Sequence, residues 1–93
     1  MGRTRTAGGL VYRVVIQRHV QKQIDRLPAT VGRRMYASIT ALGTNPRPPG
    51  CLKLTGEEQW RIKVQKDYRV IYEINDTEVL VIVVWAGNRK DAY

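Results

Sequence analysis

The strongest constraint on this chain is a change of hydrophobic period partway along it. Between Val20 and Leu42 the apolar residues recur at helical spacing. Val20, Ile24 and Leu27 fall at i, i+4 and i+7, and Val31, Met35, Ile39 and Leu42 make a second stripe. From Gln59 the alternation is strict instead. Trp60, Ile62 and Val64 project one way and Gln59, Arg61, Lys63 and Gln65 the other. Lys66-Asp67 suits a tight reversal, after which Tyr68 to Ile74 alternates again. Asn75-Asp76-Thr77 reads as a second turn. Glu78 to Ala86 is a nearly continuous apolar strand, expected at the centre of a sheet and covered on both sides for much of its length.

The N-terminal half supplies the remaining elements. Leu10 to Ile16, dominated by β-branched and aromatic residues, reads as a strand. Pro28 ends the first helix by disfavouring helical geometry in the residue before it. Thr30 is the expected N-cap of the second helix, which stops at Gly43 with Asn45-Pro46 beyond it; Asn45 to Gly50 is loop. The order predicts an α+β fold, β-α-α-β-β-β, with two N-terminal helices packed on one face of a mainly antiparallel sheet. The other face is free to carry a site.

A chain of 93 residues builds one core, so residues 10–93 are expected to form a single domain. Residues 1–9 are basic without the apolar core of a signal peptide, and are expected to be a disordered arm or extension. Sixteen Lys and Arg against eight Asp and Glu leave a formal charge of +8, which favours nucleic acid, the ribosome or an acidic protein partner. The longest apolar run, Val79 to Ala86, falls far short of the roughly 20 residues that span a bilayer, so no membrane is expected. The single cysteine, Cys51, excludes an internal disulfide framework and fits a reducing compartment, so the cytoplasm is the expected location.

Arg61, Lys63, Arg69 and Arg89, with Tyr93, are the candidate site. Arg61 and Lys63 share a strand face, Arg69 lies one tight turn away, and Arg89 reaches them only if the last strand lies beside the hairpin. Clustered guanidinium groups hold a phosphate bidentately and stabilise the charge of its transition state. A lysine among cations is expected to lose its proton more readily and so to serve as a general base. A tyrosine can exchange a proton or stack on a base. The plainer reading of alternating Arg and Lys is a solvated or edge-protected sheet face.

Other candidates are weaker. His19 has no Cys or acidic partner at metal-ligand spacing, and a Cys51–His19 pair has no local activation motif. Glu57 and Glu58 read as the end of a loop, and Gly8-Gly9 lacks the rest of a phosphate loop. Trp60, Tyr68 and Tyr72 are expected in the core, and Trp85 likewise, with a partner-binding anchor as its alternative. No cofactor or metal is expected.

The run Trp60-Arg61-Ile62-Lys63-Val64, then Asp67 to Ile74, resembles the RelE/ParE toxin superfamily, and the tail Ala86 to Tyr93 looks like its closing motif of a basic residue followed by tyrosine. Leu27-Pro28 and Asn45-Pro46 also fall where that family has them, so the resemblance spans about Tyr12 to Tyr93. It implies the element order already read and neutralisation by an acidic, RelB-like antitoxin. It further implies a metal-independent endoribonuclease that enters the ribosomal decoding site and cleaves mRNA by attack of the 2′-OH on the adjacent phosphate. Carried over by position, Arg61 and Lys63 are the strand pair of basic residues, Arg69 the arginine after tyrosine, Arg89 the C-terminal arginine and Tyr93 the terminal tyrosine. Arg61 stands where the best-known members carry lysine. Arginine accepts protons poorly, so Lys63 becomes the favoured base or charge stabiliser and Arg61 a phosphate clamp. The Arg89–Tyr93 gap is shorter than in some RelE toxins, and no histidine near Arg89 supports the branch with a Glu/His acid–base pair. The alternatives are a ParE-like gyrase poison without nuclease activity, and a binding module or inactive relative.

Overall fold

A computed structural model describes residues 11–54 and 58–91. The arm expected over residues 1–9, with Gly8-Gly9, lies outside the described residues, as do Glu57 and Tyr93. The elements are β1 (Arg13–Ile16), α1 (Arg18–Asp25), α2 (Ala29–Ala41), β2 (Leu52–Lys53), β3 (Gln59–Val64), β4 (Tyr68–Asn75), β5 (Leu80–Asn88) and a closing 3-10 turn, Arg89–Asp91. The sheet has five strands in the order β1-β5-β4-β3-β2. β2 to β5 pair antiparallel, whereas β1 lies parallel to β5 at the far edge.

Both helices bury their stripes on one sheet face, as the period predicts. Val20, Ile24, Met35, Ile39 and Leu42 meet Ile62, Val64, Val70, Tyr72, Val81, Val83 and Ala86 in a single cluster. Trp60 and Tyr68 pack at its margin. The Tyr72 hydroxyl is buried but satisfied, donating to the Pro46 carbonyl at 2.7 Å. Burial holds that phenol well above its ordinary range, and its hydrogen bond pins the proline-rich loop over the core.

Several boundaries differ from expectation. Thr30 is not the N-cap of α2. Pro28 occupies that place with extended ψ, and its carbonyl accepts from Gly32 N at 2.9 Å, so the ring's fixed φ starts the helix two residues earlier. The first strand begins at Arg13, after Val11 and Tyr12, which lie outside it; Leu10 falls outside the described residues. The last begins at Leu80 rather than Glu78, because the Asn75 side chain accepts from Glu78 N and Val79 turns left-handed at φ 56°. It then runs two residues past Ala86 to Asn88. The short strand β2, in what reads as loop, comes from two pairs, Leu52 with Arg61 and Lys53 with Trp60.

β5 is an interior strand between β1 and β4 rather than the central one, and its burial is not uniform. Val81 and Val83 face the helices, and so does Ala86, which breaks the two-residue period. A β-bulge lies between them. Ile71 pairs with Trp85 and Tyr72 with Val83, leaving Val84 without a partner on β4. Every residue after Val84 is thereby moved to the opposite face.

Candidate functional site

The sheet face away from the helices carries the expected cations. On β3, Ile62 and Val64 are buried while Arg61 is part-buried and Lys63 exposed. Lys63 pairs directly with Arg69, and Arg69 with Gly87, so one row crosses three strands. Arg61 begins the adjacent row, Arg61–Ile71–Trp85. Side chains directly opposite on one face lie about 5 Å apart at Cβ, and like charges there repel. Among the described residues neither Arg61, Lys63 nor Arg69 forms an ion pair. The Arg61 Nε atom is buried without a hydrogen-bond partner among the described residues.

Arg89 arrives by the route the sequence requires. β5 does lie beside the hairpin, and Arg89 N donates to the Asp67 carbonyl at 2.7 Å, fixing the strand end to the β3–β4 turn. The Arg89 Nε atom is 3.9 Å from the Asp67 carboxylate, a loose and exposed pair that holds the guanidinium weakly. The fold thus brings Arg61, Lys63 and Arg69 together on one face and fixes Arg89 beside the β3–β4 turn at its end. Where Tyr93 sits relative to them lies outside the described residues.

Trp85 is the residue that sequence reasoning misplaced. It is absent from the core and stands on the basic face, because the Val84 bulge inverts the parity of the strand. Its Cζ2 and Cη2 atoms lie 3.2 Å from where a Gly87 Cβ would be, so the indole folds across the gap in the cationic row that glycine leaves. The pair Trp85-x-Gly87 is the one sequence signal for this contact, and it becomes readable only when both residues are known to share a face. Two helix side chains serve the bulge from the core side: Gln23 Oε1 accepts from Ala86 N at 3.2 Å, and His19 Nε2 lies 3.2 Å from the Val84 carbonyl. That contact is a structural occupation for His19. Cys51, part-buried, lies across the sheet beside β2, so the two do not form a nucleophilic pair. Glu58 is exposed at the start of β3.

A cavity of about 610 Å³ adjoins the cations, with Leu42, Pro48, Leu52, Arg61, Ile62 and Lys63 among its walls. Its outer wall, the 45–50 loop, is braced by Arg47. That guanidinium donates to both Asp76 carboxylate oxygens, at 2.9 and 3.4 Å, and lies 5.0 Å from the centre of the Trp60 ring. The Tyr12 hydroxyl donates to the same carboxylate at 2.6 Å. Hydrogen bonds from Arg47 and then Tyr12 hold Asp76 below the usual carboxylate range; the same contact raises the Tyr12 phenol and Arg47.

Among the described residues no three His, Cys, Asp or Glu side chains cluster as metal ligands, and no helix is long and apolar enough to cross a membrane. Chemically the face offers phosphate binding, charge stabilisation and an exposed amine.

A family model described as the ParE toxin of type II toxin–antitoxin systems, parDE, matches residues 11–91. The fold is similar to the archaeal RelE–RelB complex from Pyrococcus horikoshii OT3, at 29% identity and TM-score 0.76, over 89% of this chain and 100% of that one. It is similar to the intact E. coli RelBE toxin–antitoxin complex, at 25% identity and TM-score 0.72, over 83% and 95% of the two chains. A double mutant of the E. coli toxin RelE in the free state shares the fold at 24% identity and TM-score 0.74, over 89% and 88%. Among curated proteins none matches the sequence significantly.

Proposed function

We propose, since this chain belongs to the ParE toxin family of type II toxin–antitoxin systems within the RelE/ParE superfamily, that it is a toxin acting as a ribosome-dependent endoribonuclease on mRNA. The observation that carries the reading is the meeting of Arg61, Lys63 and Arg69 on one open face, with Arg89 anchored to the turn at its end. A solvated face would disperse such charges or offset them with carboxylates. Here Lys63 and Arg69 sit opposite each other at a cost in stability, which a polyanion bound across both would reverse.

In the proposed reaction Arg69 and Arg61 hold the scissile phosphate. The ribose 2′-oxygen attacks phosphorus, and the bond to the 5′-oxygen breaks, leaving a 2′,3′-cyclic phosphate and a free 5′-OH. Lys63, exposed at the β3 end of the row, takes the 2′-OH proton or stabilises the growing charge on phosphorus. Arg89 neutralises charge from the strand end, and Tyr93 is the proposed partner at the leaving oxygen. The guanidinium groups act by preorganised charge. Removing one such contact typically slows chemistry by 10²- to 10³-fold.

The partners proposed are the ribosome with its mRNA, and an acidic antitoxin, since RelE pairs with RelB in the similar complexes. The test is cleavage of a translating messenger with and without ribosomes. The wild type is expected to cut only with ribosomes, and Arg69→Ala to cut at least 100-fold more slowly. Equal degradation of free RNA would overturn the mechanism. The ParE description of the matching family favours one second reading, a gyrase poison. It predicts no cleavage in either condition together with inhibited DNA supercoiling.

A further inference from the structure

The cationic face carries one large side chain that the proposed chemistry does not use. Trp85 is part-exposed and is the only aromatic residue on the open sheet face among the described residues. Trp60, Tyr68 and Tyr72 belong to the core side, and Tyr12 and Tyr36 also pack against the core. An apolar ring of this size is ordinarily buried, and the parity of Val81 and Val83 would bury it. The Val84 bulge prevents that, and α1 supplies Gln23 and His19 to the polar groups the bulge exposes. Ile71, only 5% exposed, lies directly opposite the ring on β4. Glycine at position 87 lets the six-membered ring lie across the Lys63–Arg69–Gly87 row. A planar π surface is thus fixed beside the groups proposed to clamp a phosphate.

We propose that Trp85 is a base-stacking platform, holding one base of the bound RNA flat against the indole while Lys63 and Arg69 engage the adjacent phosphate. The inference rests on the ribonuclease reading. Every base offers a π face, so the platform tolerates sequence and contributes mainly to position. It acts as a further substrate-binding residue, setting the 2′-OH in line with phosphorus.

The test is a cycle between ring and base, using ribosomes programmed with messengers that carry a single abasic nucleotide in the vacant decoding-site codon. For the wild type, an abasic nucleotide at one of the three positions should lower the cleavage rate about 5- to 150-fold, the range for losing one stacked base. Trp85→Leu should lower cleavage of the intact messenger by the same factor and show no further loss at that position. Trp85→Tyr should recover most of the rate. Gly87→Ala keeps the ring and displaces it by a few tenths of an ångström, so it should show a smaller loss at that position; this variant keeps the test decisive if Trp85→Leu does not fold. Wild-type cleavage by Trp85→Leu, or losses from residue and base that multiply independently, would overturn the platform and leave the ribonuclease standing. A wild type that cuts nothing on ribosomes would overturn both.

Discussion

Lys63 and Arg69 show how a single residue pair trades stability for function. Their direct opposition across β3 and β4 is unfavourable by a few tenths of a kcal/mol at a solvated site. Lys63→Thr, which keeps strand propensity and removes the repulsion, is expected to raise the melting temperature slightly while abolishing cleavage; both are read on one preparation. Asp76 behaves oppositely. Its carboxylate, held below the usual range by Arg47 and Tyr12, favours the folded state above the unfolded carboxylate pKa of about 4. That contribution is lost as pH falls through the lower, folded value. Asp76→Asn should therefore melt below the wild type at neutral pH, with the gap closing below about pH 4. A gap that persists at low pH would mean that the brace acts through shape rather than charge.

At the scale of elements, β5 carries two devices that alternation does not reveal. The bulge at Val84 places Ala86 in the core and Trp85 over the cations. A bulge is a property of the pairing between two strands, so neither strand's own sequence displays it. The second device is Val79, a β-branched residue at φ 56° immediately before the strand. Its carbonyl accepts from Arg13 N at 2.9 Å, which sets the start of the parallel β1–β5 pairing. Left-handed geometry costs a β-branched residue about 1–2 kcal/mol. Val79→Asn, which tolerates that geometry, is expected to stabilise the protein by about 1 kcal/mol in urea unfolding, with an unchanged m-value. Destabilisation would show instead that the Val79 side chain contributes packing worth more than the strain.

Across the whole molecule the net charge is +8, of which the four cations of the proposed site, Arg61, Lys63, Arg69 and Arg89, are one part. Binding to single-stranded RNA on the ribosome should therefore weaken steeply with salt. If the four cations each neutralise one phosphate, log affinity falls against log salt with a slope of about −3, and Lys63→Ala flattens it by about 0.7. A slope unchanged by that substitution would place the bound phosphates elsewhere on the surface.

The helices, the β3–β4 hairpin and the alternation of Arg61 and Lys63 were legible in the sequence, because each is set by local period and turn chemistry acting within about ten residues. The same locality makes Arg69 a neighbour of Lys63 without further knowledge. Arg89 was legible only as a condition, since its approach depends on β5 pairing with β4, a contact between segments joined by a turn whose end the sequence misplaced by two residues. The parallel docking of β1, the short β2 and the passage of Trp85 from core to open face were decided by tertiary structure alone. Each arises from inter-strand register, where one extra residue reverses every later side chain, and register is settled by the packing of the whole sheet against its helices.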